Sequence, residues 1–234
     1  MLRVEGVDAY YGQSHVLQSV SLTVGPGEAV ALLGRNGAGK TTTLKTIMAV
    51  VRAHRGRITW NGQDITGLPP YRIVQAGIGY VPEERRIFPN LTVHENLKMA
   101  RLHADGGRRM DDYLARVLTL FPPLKDRLSH RGKNLSGGEQ QMLTMARSLG
   151  TDPKLLLVDE PTEGLMPAFV ETIGQTITEI QRQGVAVLLV EQNTQLALAS
   201  TQRVYLIEKG TIKHEARSAD LAADAATRHR YLGV

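Results

Sequence analysis

Cysteine is absent from the 234-residue sequence, and aromatic residues are few. The lack of thiols excludes disulfides and thiolate metal sites, and it suits a reducing compartment. With seven Tyr, three Phe and one Trp, the core must be mostly aliphatic. No apolar run approaches the ~18 residues of a membrane-spanning helix, and no charged segment followed by an apolar one opens the chain. If the protein works at a membrane, we therefore expect it to dock there.

The charge and the histidine content exclude few functional classes. Lys and Arg total 28 against 23 Asp and Glu, a net charge of +5. That balance fits a surface facing anionic lipid or nucleic acid, and it equally fits an ordinary solvated surface. No G-x-G-x-x-G motif opens a helix after a strand, so a dinucleotide cofactor is not indicated. The histidines lack metal-ligand spacing, and all are assigned surface or structural roles: His15, His54, His94, His103, His130, His214 and His229.

Residues 34–41, GRNGAGKT, fit the phosphate-binding template G-x-x-x-x-G-K-[ST] at every fixed position. An apolar run over 29–33 predicts a buried strand before the loop, and apolar residues at helical intervals predict a helix after it. Such a loop turns its N–H groups around the β-phosphate. Lys40 would reach the β- and γ-phosphates, and Thr41 would hold Mg²⁺. The predicted nucleotide contacts here are Gly34, Asn36, Gly37, Ala38, Gly39, Lys40, Thr41 and Thr42.

Two adjacent acids end the apolar run 155–158, which reads as a buried parallel strand. We expect Asp159 to join the Mg²⁺ shell and Glu160 to face the γ-phosphate. There Glu160 can act as general base toward the attacking water, a role worth roughly 10²- to 10⁴-fold in rate. Acids at strand ends are also often merely solvated, and it is the phosphate loop that favours a catalytic role.

A second anion site is predicted at residues 135–141, LSGGEQQ. Ser136 and Glu139 form a capping box, so a plain helix start is one interpretation. Glycines are costly in a first helical turn unless something approaches the backbone closely. A hydroxyl, bare amides and a helix dipole at Ser136, Gly137 and Gly138 favour phosphate. One chain therefore carries two half-sites for phosphate.

Apolar periodicity divides the chain. Alternation over residues 1–30 predicts β-strands, the pattern from about Arg86 to Gly150 is helical, and strands alternate with helices afterwards. We predict one domain, 1–234, with an α/β core (1–85 and 151–234) and a helical insertion (86–150). Finer expectations are hairpins at Asn61-Gly62 and Lys209-Gly210, a capping box at Thr92 and Glu95, a break at Gly106-Gly107, a helix from near Asp111 to Pro122-Pro123, strands over 185–190 and 204–207, and a polar helix from Ala216 onward.

The motifs at 34–41, 135–141 and 155–160, in this order, closely resemble the ATP-binding subunits of ABC transporters. The resemblance covers nearly the whole chain, and the middle motif is highly specific to that family. It implies an α/β P-loop NTPase fold, with a RecA-like parallel-sheet core, an antiparallel β flank and an inserted α-helical subdomain. It also implies ATP hydrolysis with Mg²⁺ in a head-to-tail dimer, where residues 136–138 of one subunit close over the ATP of the other.

The resemblance assigns further residues one at a time. Tyr11 matches the position that stacks on adenine, a contact worth about 1–3 kcal/mol, but Tyr10 is adjacent and the choice stays open. The helical insertion and the segment around Glu83 match the region that receives the membrane subunits. Phe88 and Leu91 could serve as that docking face or belong to the core.

Three positions depart from the commonest family pattern. Glu83 replaces a glutamine that senses the γ-phosphate, and its carboxylate can still coordinate Mg²⁺ or water. Gln192 replaces a histidine that contacts the γ-phosphate, and we assign it with Lys40 and Glu160 to catalysis. Met166 replaces an aspartate, which puts the usual cross-subunit contact in doubt.

These departures resemble the branched-chain amino acid uptake group in segments 82–86, 91–97, 163–165 and 190–193. Urea and short-chain amide importers have closely similar subunits and remain alternatives. A lipopolysaccharide-type export ATPase is a rival that the Glu-Gln-Asn sequence at 191–193 disfavours. A non-catalytic binding module is disfavoured by intact Lys40, Asp159 and Glu160.

The resemblance also implies partners and a location. They are a second, different ATP-binding subunit, two integral-membrane permeases and, indirectly, a periplasmic solute-binding protein, at the cytoplasmic face of the inner membrane. Nucleic acid is not expected, because ABC proteins of chromosomes and DNA repair insert coiled coils or zinc modules, and ribosomal ones fuse two such domains. Neither feature is seen in this sequence. No residue is expected to contact the solute.

Overall fold

The computed structural model describes residues 1–102 and 109–233. The predicted break at Gly106-Gly107 and His103 lie outside the described residues. The strands are β1 (Leu2–Tyr11), β2 (Ser14–Val24), β3 (Ala29–Leu33), β4 (Ala53–Trp60), β5 (Gln63–Asp64), β6 (Ile78–Val81), β7 (Leu155–Asp159), β8 (Ala186–Glu191), β9 (Arg203–Glu208) and β10 (Thr211–Arg217). The α-helices are α1 (Lys40–Ile47), α2 (Pro70–Gln75), α3 (Val93–Arg101), α4 (Met110–Leu120), α5 (Gly137–Ser148), α6 (Pro167–Arg182), α7 (Thr194–Ser200), α8 (Ser218–Ala223) and α9 (Ala225–Leu232).

The central sheet has the strand order β10-β9-β3-β8-β7-β6. Its strands run parallel except β10, which pairs antiparallel with β9. Every residue of β3, β7 and β8 is buried, which is why these strands read as continuous apolar runs. The carboxyl ends of β3, β7 and β8 therefore meet at one edge, where the phosphate loop and the two acids follow.

A second sheet, with the order β2-β1-β4-β5, is antiparallel and forms the predicted flank. Its apolar side packs with α1 and one face of the central sheet, in a cluster that includes Leu17, Leu32, Leu44 and Ile58. The other face of the central sheet packs against α3, α4, α5 and α6. The predicted α/β class, with a parallel core, an antiparallel flank and helices between β6 and β7, is confirmed.

Most local expectations are confirmed. Both capping boxes are present, with Thr92 and Ser136 each accepting from the backbone three residues ahead. The turns at Asn61-Gly62 and Lys209-Gly210 join antiparallel strands. The helical pattern begins later than predicted, since α3 starts only after its cap at Thr92.

One helix was predicted from Ala216 onward, and this prediction is wrong in two respects: the helical region begins at Ser218, and it consists of two helices. Strand β10 continues to Arg217, because Ala216 and Arg217 still pair with β9. Two short helices follow, and Asp224 separates them and caps the second by accepting from Thr227 N–H. Among the described residues, no helix is long and apolar enough to cross a membrane.

Buried Asn96 holds the segment between β6 and α3 in place. Its side chain is fully buried. The amide oxygen accepts from Phe88 N–H at 2.8 Å, and the amide nitrogen donates to the carbonyl oxygens of Phe88, Leu91 and Thr92. The three carbonyls also accept from backbone N–H groups, so Asn96 adds a second donor to each of them and supplies the acceptor for Phe88 N–H.

We predict that Asn96→Ala lowers the free energy of unfolding by about 2–3 kcal/mol, because Phe88 N–H loses its acceptor and a fully buried side chain is removed. Urea unfolding of the purified chain measures this. Asn90→Ala is the matched control, since Asn90 is exposed in the same segment, and it should change the value by less than about 0.5 kcal/mol. Equal losses at the two positions would contradict the assignment.

Candidate functional site

The phosphate loop joins β3 to α1, and Lys40 is the first residue of that helix. Gly39 adopts a φ of 109°, and a Cβ there would lie 2.9 Å from Cδ2 of Leu17, so glycine is required. Ala38 N–H bonds to the Arg35 carbonyl at 3.1 Å. The loop therefore closes on itself and presents the N-terminus of α1 to the edge of the sheet.

Lys40 lies at the centre of this loop with only 3% of its surface exposed. Its Nζ donates to the carbonyl oxygens of Gly34 at 2.9 Å and Arg35 at 3.2 Å. The same atom lies 3.1 Å from Glu160 Oε1. A buried ammonium requires such partners, because desolvation of an unpaired charge is costly.

Asp159 ends β7 and receives two hydroxyl groups. Thr41 Oγ1 donates to Oδ1 at 2.9 Å, and Tyr80 OH donates to Oδ2 at 3.0 Å. Burial raises the pKa of Asp159 above its ordinary value, while the two hydrogen bonds act in the opposite direction. Tyr80 was not predicted as a site residue, because the four-residue strand β6 is too short to give a clear periodicity.

Glu160 follows Asp159 in a left-handed conformation, with a φ of 40°. Its N–H donates to the Val190 carbonyl at 2.9 Å, which fixes it against the end of β8. Gln192 Nε2 donates to Glu160 Oε2. The strained backbone, the lysine and the glutamine together orient the carboxylate toward the cavity.

The buried carboxylate of Glu191 fixes the backbone of Gln192 and Asn193. Glu191 accepts the N–H groups of Gln192 at 2.9 Å and Asn193 at 3.0 Å, and the Thr162 hydroxyl at 2.6 Å. Burial raises the pKa of Glu191 above its ordinary value, and these hydrogen bonds offset only part of that rise. Neither Glu191 nor Thr162 was predicted as a site residue, although Glu191 is next to Gln192 in sequence and Thr162 lies two residues after Glu160.

Lys40, Thr41, Glu160 and Gln192 line one cavity of about 460 Å³. It brings together most of the predicted phosphate, metal and catalytic residues, and it adds Glu163. Gly34, Ala38 and fully buried Asp159 do not line it, although the Gly34 carbonyl accepts from Lys40 and Asp159 accepts from Thr41. The lining residues are Val16, Asn36, Gly37, Gly39, Lys40, Thr41, Thr42, Glu83, Glu160, Glu163 and Gln192.

Oxygen donors at the cavity fit Mg²⁺. The ion prefers oxygen ligands and, in phosphate sites, combines one or two protein carboxylates with phosphate oxygens and water. Thr41 and Asp159 present adjacent oxygens, and Glu83 lines the same space. Burial, a hydrogen bond with Glu163 and the charges of Glu160 and Asp159 raise the pKa of Glu83 to about 6.

Residues 136–138 lie outside the lining of this cavity. A Cβ on Gly137 would lie 2.6 Å from Nη1 of Arg85, and one on Gly138 would lie 2.4 Å from Cδ1 of Phe169. The glycines were predicted to allow a close approach, and the groups that approach them here are two side chains of the same chain. Whether phosphate also approaches Ser136 stays a prediction.

The two tyrosines at the end of β1 have different surroundings. The ring of Tyr10 stacks on His15 at 4.2 Å between centroids and meets the edge of His54 at 4.9 Å. Tyr11 is 49% exposed, and side-chain alternation puts it on the other face of the strand, with Ala9. Tyr11 is therefore the better candidate for stacking, and its role stays a prediction.

Comparison with known proteins identifies a family and two kinds of relative. The family described as ABC transporter matches residues 17–163. The chain is 44% identical over 236 residues to "High-affinity branched-chain amino acid transport ATP-binding protein BraG" of Pseudomonas aeruginosa, covering 100% of both. It is 36% identical over 238 residues to "Lipopolysaccharide export system ATP-binding protein LptB" of Haemophilus influenzae, covering 100% of the chain and 97% of that protein.

A solved structure shares the fold. The one described as "Structure of ATP binding subunit of ABC transporter" superposes with a TM-score of 0.84 at 27% identity. The superposition covers 100% of this chain and 96% of that one.

We predict that Glu83→Gln makes stability less dependent on pH. The folded-state pKa of about 6 exceeds the ordinary 4.5, so the folded chain binds more protons in that window and stability falls as pH rises through it. The variant should unfold at a higher temperature than wild type at about pH 8, with the difference absent near pH 4. Thermal unfolding without Mg²⁺ measures this.

The exposed neighbour Glu84 supplies the control for this experiment. Glu84→Gln should leave the pH dependence unchanged. A Glu83→Gln effect of equal size at both pH values would contradict the crowding of carboxylates at the cavity.

Proposed function

This chain belongs to the ABC transporter family, and from that membership we propose that it is the ATP-hydrolysing subunit of an importer of branched-chain amino acids. The observation that carries the proposal is the convergence of Lys40, Thr41, Asp159 and Glu160 at the ends of β3 and β7. Phosphoryl transfer requires a cation, a hydroxyl and carboxylates close together, and here Lys40, Thr41 and Glu160 line the cavity while Asp159 lies behind Thr41.

Each residue has a distinct role in the proposed reaction. The loop amides and Lys40 bind the β- and γ-phosphates, and Tyr11 stacks on adenine. Thr41 and Asp159, with Glu83 near, would hold Mg²⁺, which would supply neutralisation of charge on the phosphates. The γ-phosphate competes with Glu160 for Lys40, because both are anions that need the same ammonium.

Glu160 then acts on water. When the γ-phosphate takes up Lys40, the Glu160 carboxylate is free to polarise the water that attacks that phosphate. The side-chain amide of Gln192 holds the carboxylate in place by donating to it. Thr162 and Glu191 hold the segments that carry these two residues. Catalysis is mainly positioning and charge neutralisation.

The second half-site requires a partner. Residues 136–138 do not line the cavity, and we infer that they serve a nucleotide held by another chain. A head-to-tail pair of ATP-binding subunits, the second of a different sequence, brings each half-site over the other's nucleotide. Met166, 65% exposed beside α6, stands where the family's aspartate makes a polar contact with the partner, and a thioether side chain does not reproduce that contact.

Branched-chain amino acids are the solutes that similarity favours. Identity is higher to the amino acid subunit than to the lipopolysaccharide export subunit, and the Glu-Gln-Asn sequence at 191–193 agrees. Urea or short-chain amides remain the alternative cargo. The chain docks on two permeases at the cytoplasmic face of the inner membrane, served by a periplasmic solute-binding protein. Half-exposed Phe88, over which the Arg147 guanidinium lies at 4.5 Å, marks the docking region.

We predict that Glu160→Gln lowers ATP turnover by roughly 10²- to 10⁴-fold, since the base is lost. Nucleotide affinity should be retained, because the γ-phosphate takes the place of the lost carboxylate beside Lys40. Lys40→Ala should lose affinity as well. Turnover is measured on the chain with its partner subunits, and affinity on the chain alone. Glu171→Gln, on an exposed site of α6, is the matched control. Full turnover in the Glu160 variant would contradict the proposed base.

The tagged chain, captured from detergent-solubilised native membranes, should bring down two permeases and a second ATP-binding subunit. Cells that carry only the Lys40→Ala chain should lose uptake of labelled leucine, isoleucine and valine. Loss of urea or amide uptake alone would favour the alternative importer. Recovery of lipopolysaccharide export components, ribosomes or nucleic acid would overturn the importer and leave the ATPase standing.

A further inference from the structure

Arg85 connects three parts of the chain that are distant in sequence. It lies two residues beyond Glu83, in the segment between β6 and α3. Its Nη2 donates to the carbonyl oxygen of Glu163 at 3.0 Å. Its guanidinium also lies against Gly137, where an added Cβ would be 2.6 Å from Nη1 and 3.3 Å from Cζ. One side chain thus contacts the loop after β7 and the first residue of α5.

The two ends of this contact belong to different half-sites. Glu163 lines the cavity together with Glu83 and Lys40. Gly137 belongs to residues 136–138, which lie outside that cavity. In the part of the chain that the structure describes, no other side chain bonds to the Glu163 carbonyl. Arg85 is therefore a direct physical link between the half-sites.

Arginine suits this position better than lysine. A planar guanidinium can donate along its edge to a carbonyl while its nitrogens lie flat against a backbone that lacks a Cβ. Within residues 1–102 and 109–233, Arg85 has no ion pair with a carboxylate, whereas the adjacent Arg86 pairs with Glu84 at 3.4 Å. The contacts of Arg85 are thus directed at backbone and not at charge.

We propose that Arg85 is a positioning residue that links the nucleotide cavity to the 136–138 half-site of the same chain. The proposal deepens the proposed function and rests on it. Through the Glu163 carbonyl, Arg85 sets where the N-terminus of α5 lies relative to the cavity. Because each half-site serves a different ATP, this contact transmits the occupancy of one site to the geometry of the other.

The test compares Arg85→Ala and Arg85→Lys with Arg86→Ala as control. The control keeps its backbone carbonyl, which accepts from Arg147, and loses only an exposed ion pair. Arg85→Ala should lower kcat of the assembled transporter ATPase by about 10-fold, since catalysis depends on the closeness of fit between half-sites. KM and the nucleotide Kd of the chain alone should change by less than about twofold. Arg85→Lys should recover little, and Arg86→Ala should match wild type.

A double-mutant cycle tests the contact itself, on the free energy of unfolding of the chain alone, where residues 136–138 meet no partner's nucleotide. Gly137→Ala should lower that free energy in the wild-type background, because its Cβ displaces the guanidinium. In the Arg85→Ala background the same change should cost less, because residues in contact give non-additive effects. Additive losses would overturn the contact, and an equal fall of kcat and nucleotide affinity in Arg85→Ala would overturn the link.

The outcome also distinguishes the two proposals. A wild-type chain that neither binds nor hydrolyses ATP would overturn the proposed function itself. Normal ATP turnover in wild type, unchanged by Arg85→Ala, would overturn only the role of Arg85.

Discussion

The buried ion pair between Lys40 and Glu160 is the interaction on which the site depends. Two opposite charges are held out of water at 3.1 Å, and neither is tolerable there without the other and its hydrogen bonds. The pair forms only because β3 and β7 both flank β8 in the central sheet, which places their carboxyl ends at one edge. Gln192, at the end of β8, completes the arrangement. The fold thus supplies position, and the loops supply chemistry.

Fold class and most residues that line the cavity could be predicted from sequence, because each left a local signal. Buried parallel strands appear as unbroken apolar runs, and the loop before α1 carries a spaced motif. Capping boxes at Thr92 and Ser136 located two helix starts. The acids after β7 followed from the rule that ligands gather at the carboxyl ends of parallel strands.

Other features could not be predicted, because they depend on which distant segments meet. Tyr80 reaches Asp159 only through the pairing of β6 with β7. Arg85 and Phe169 explain the two glycines of α5, and no local pattern connects them. The helix predicted from Ala216 onward was wrong for the same reason. Ala216 pairs with β9 in the structure, and that long-range pairing overrides its helical preference.

The strand order of the central sheet has a consequence for synthesis of the chain. Strands β1, β2 and β4 pair with near neighbours in sequence, so the antiparallel flank can form early. Strand β3 pairs with β8 and β9, which lie more than 150 residues later in the sequence. During synthesis on a ribosome, β3 and the phosphate loop that follows it therefore cannot reach their folded positions until β8 and β9, in the last quarter of the sequence, have been made. A nascent chain that lacks β8 and β9 exposes the apolar strand β3. We expect chaperones to keep such a chain soluble until β8 and β9 are made, and nucleotide can bind only after that.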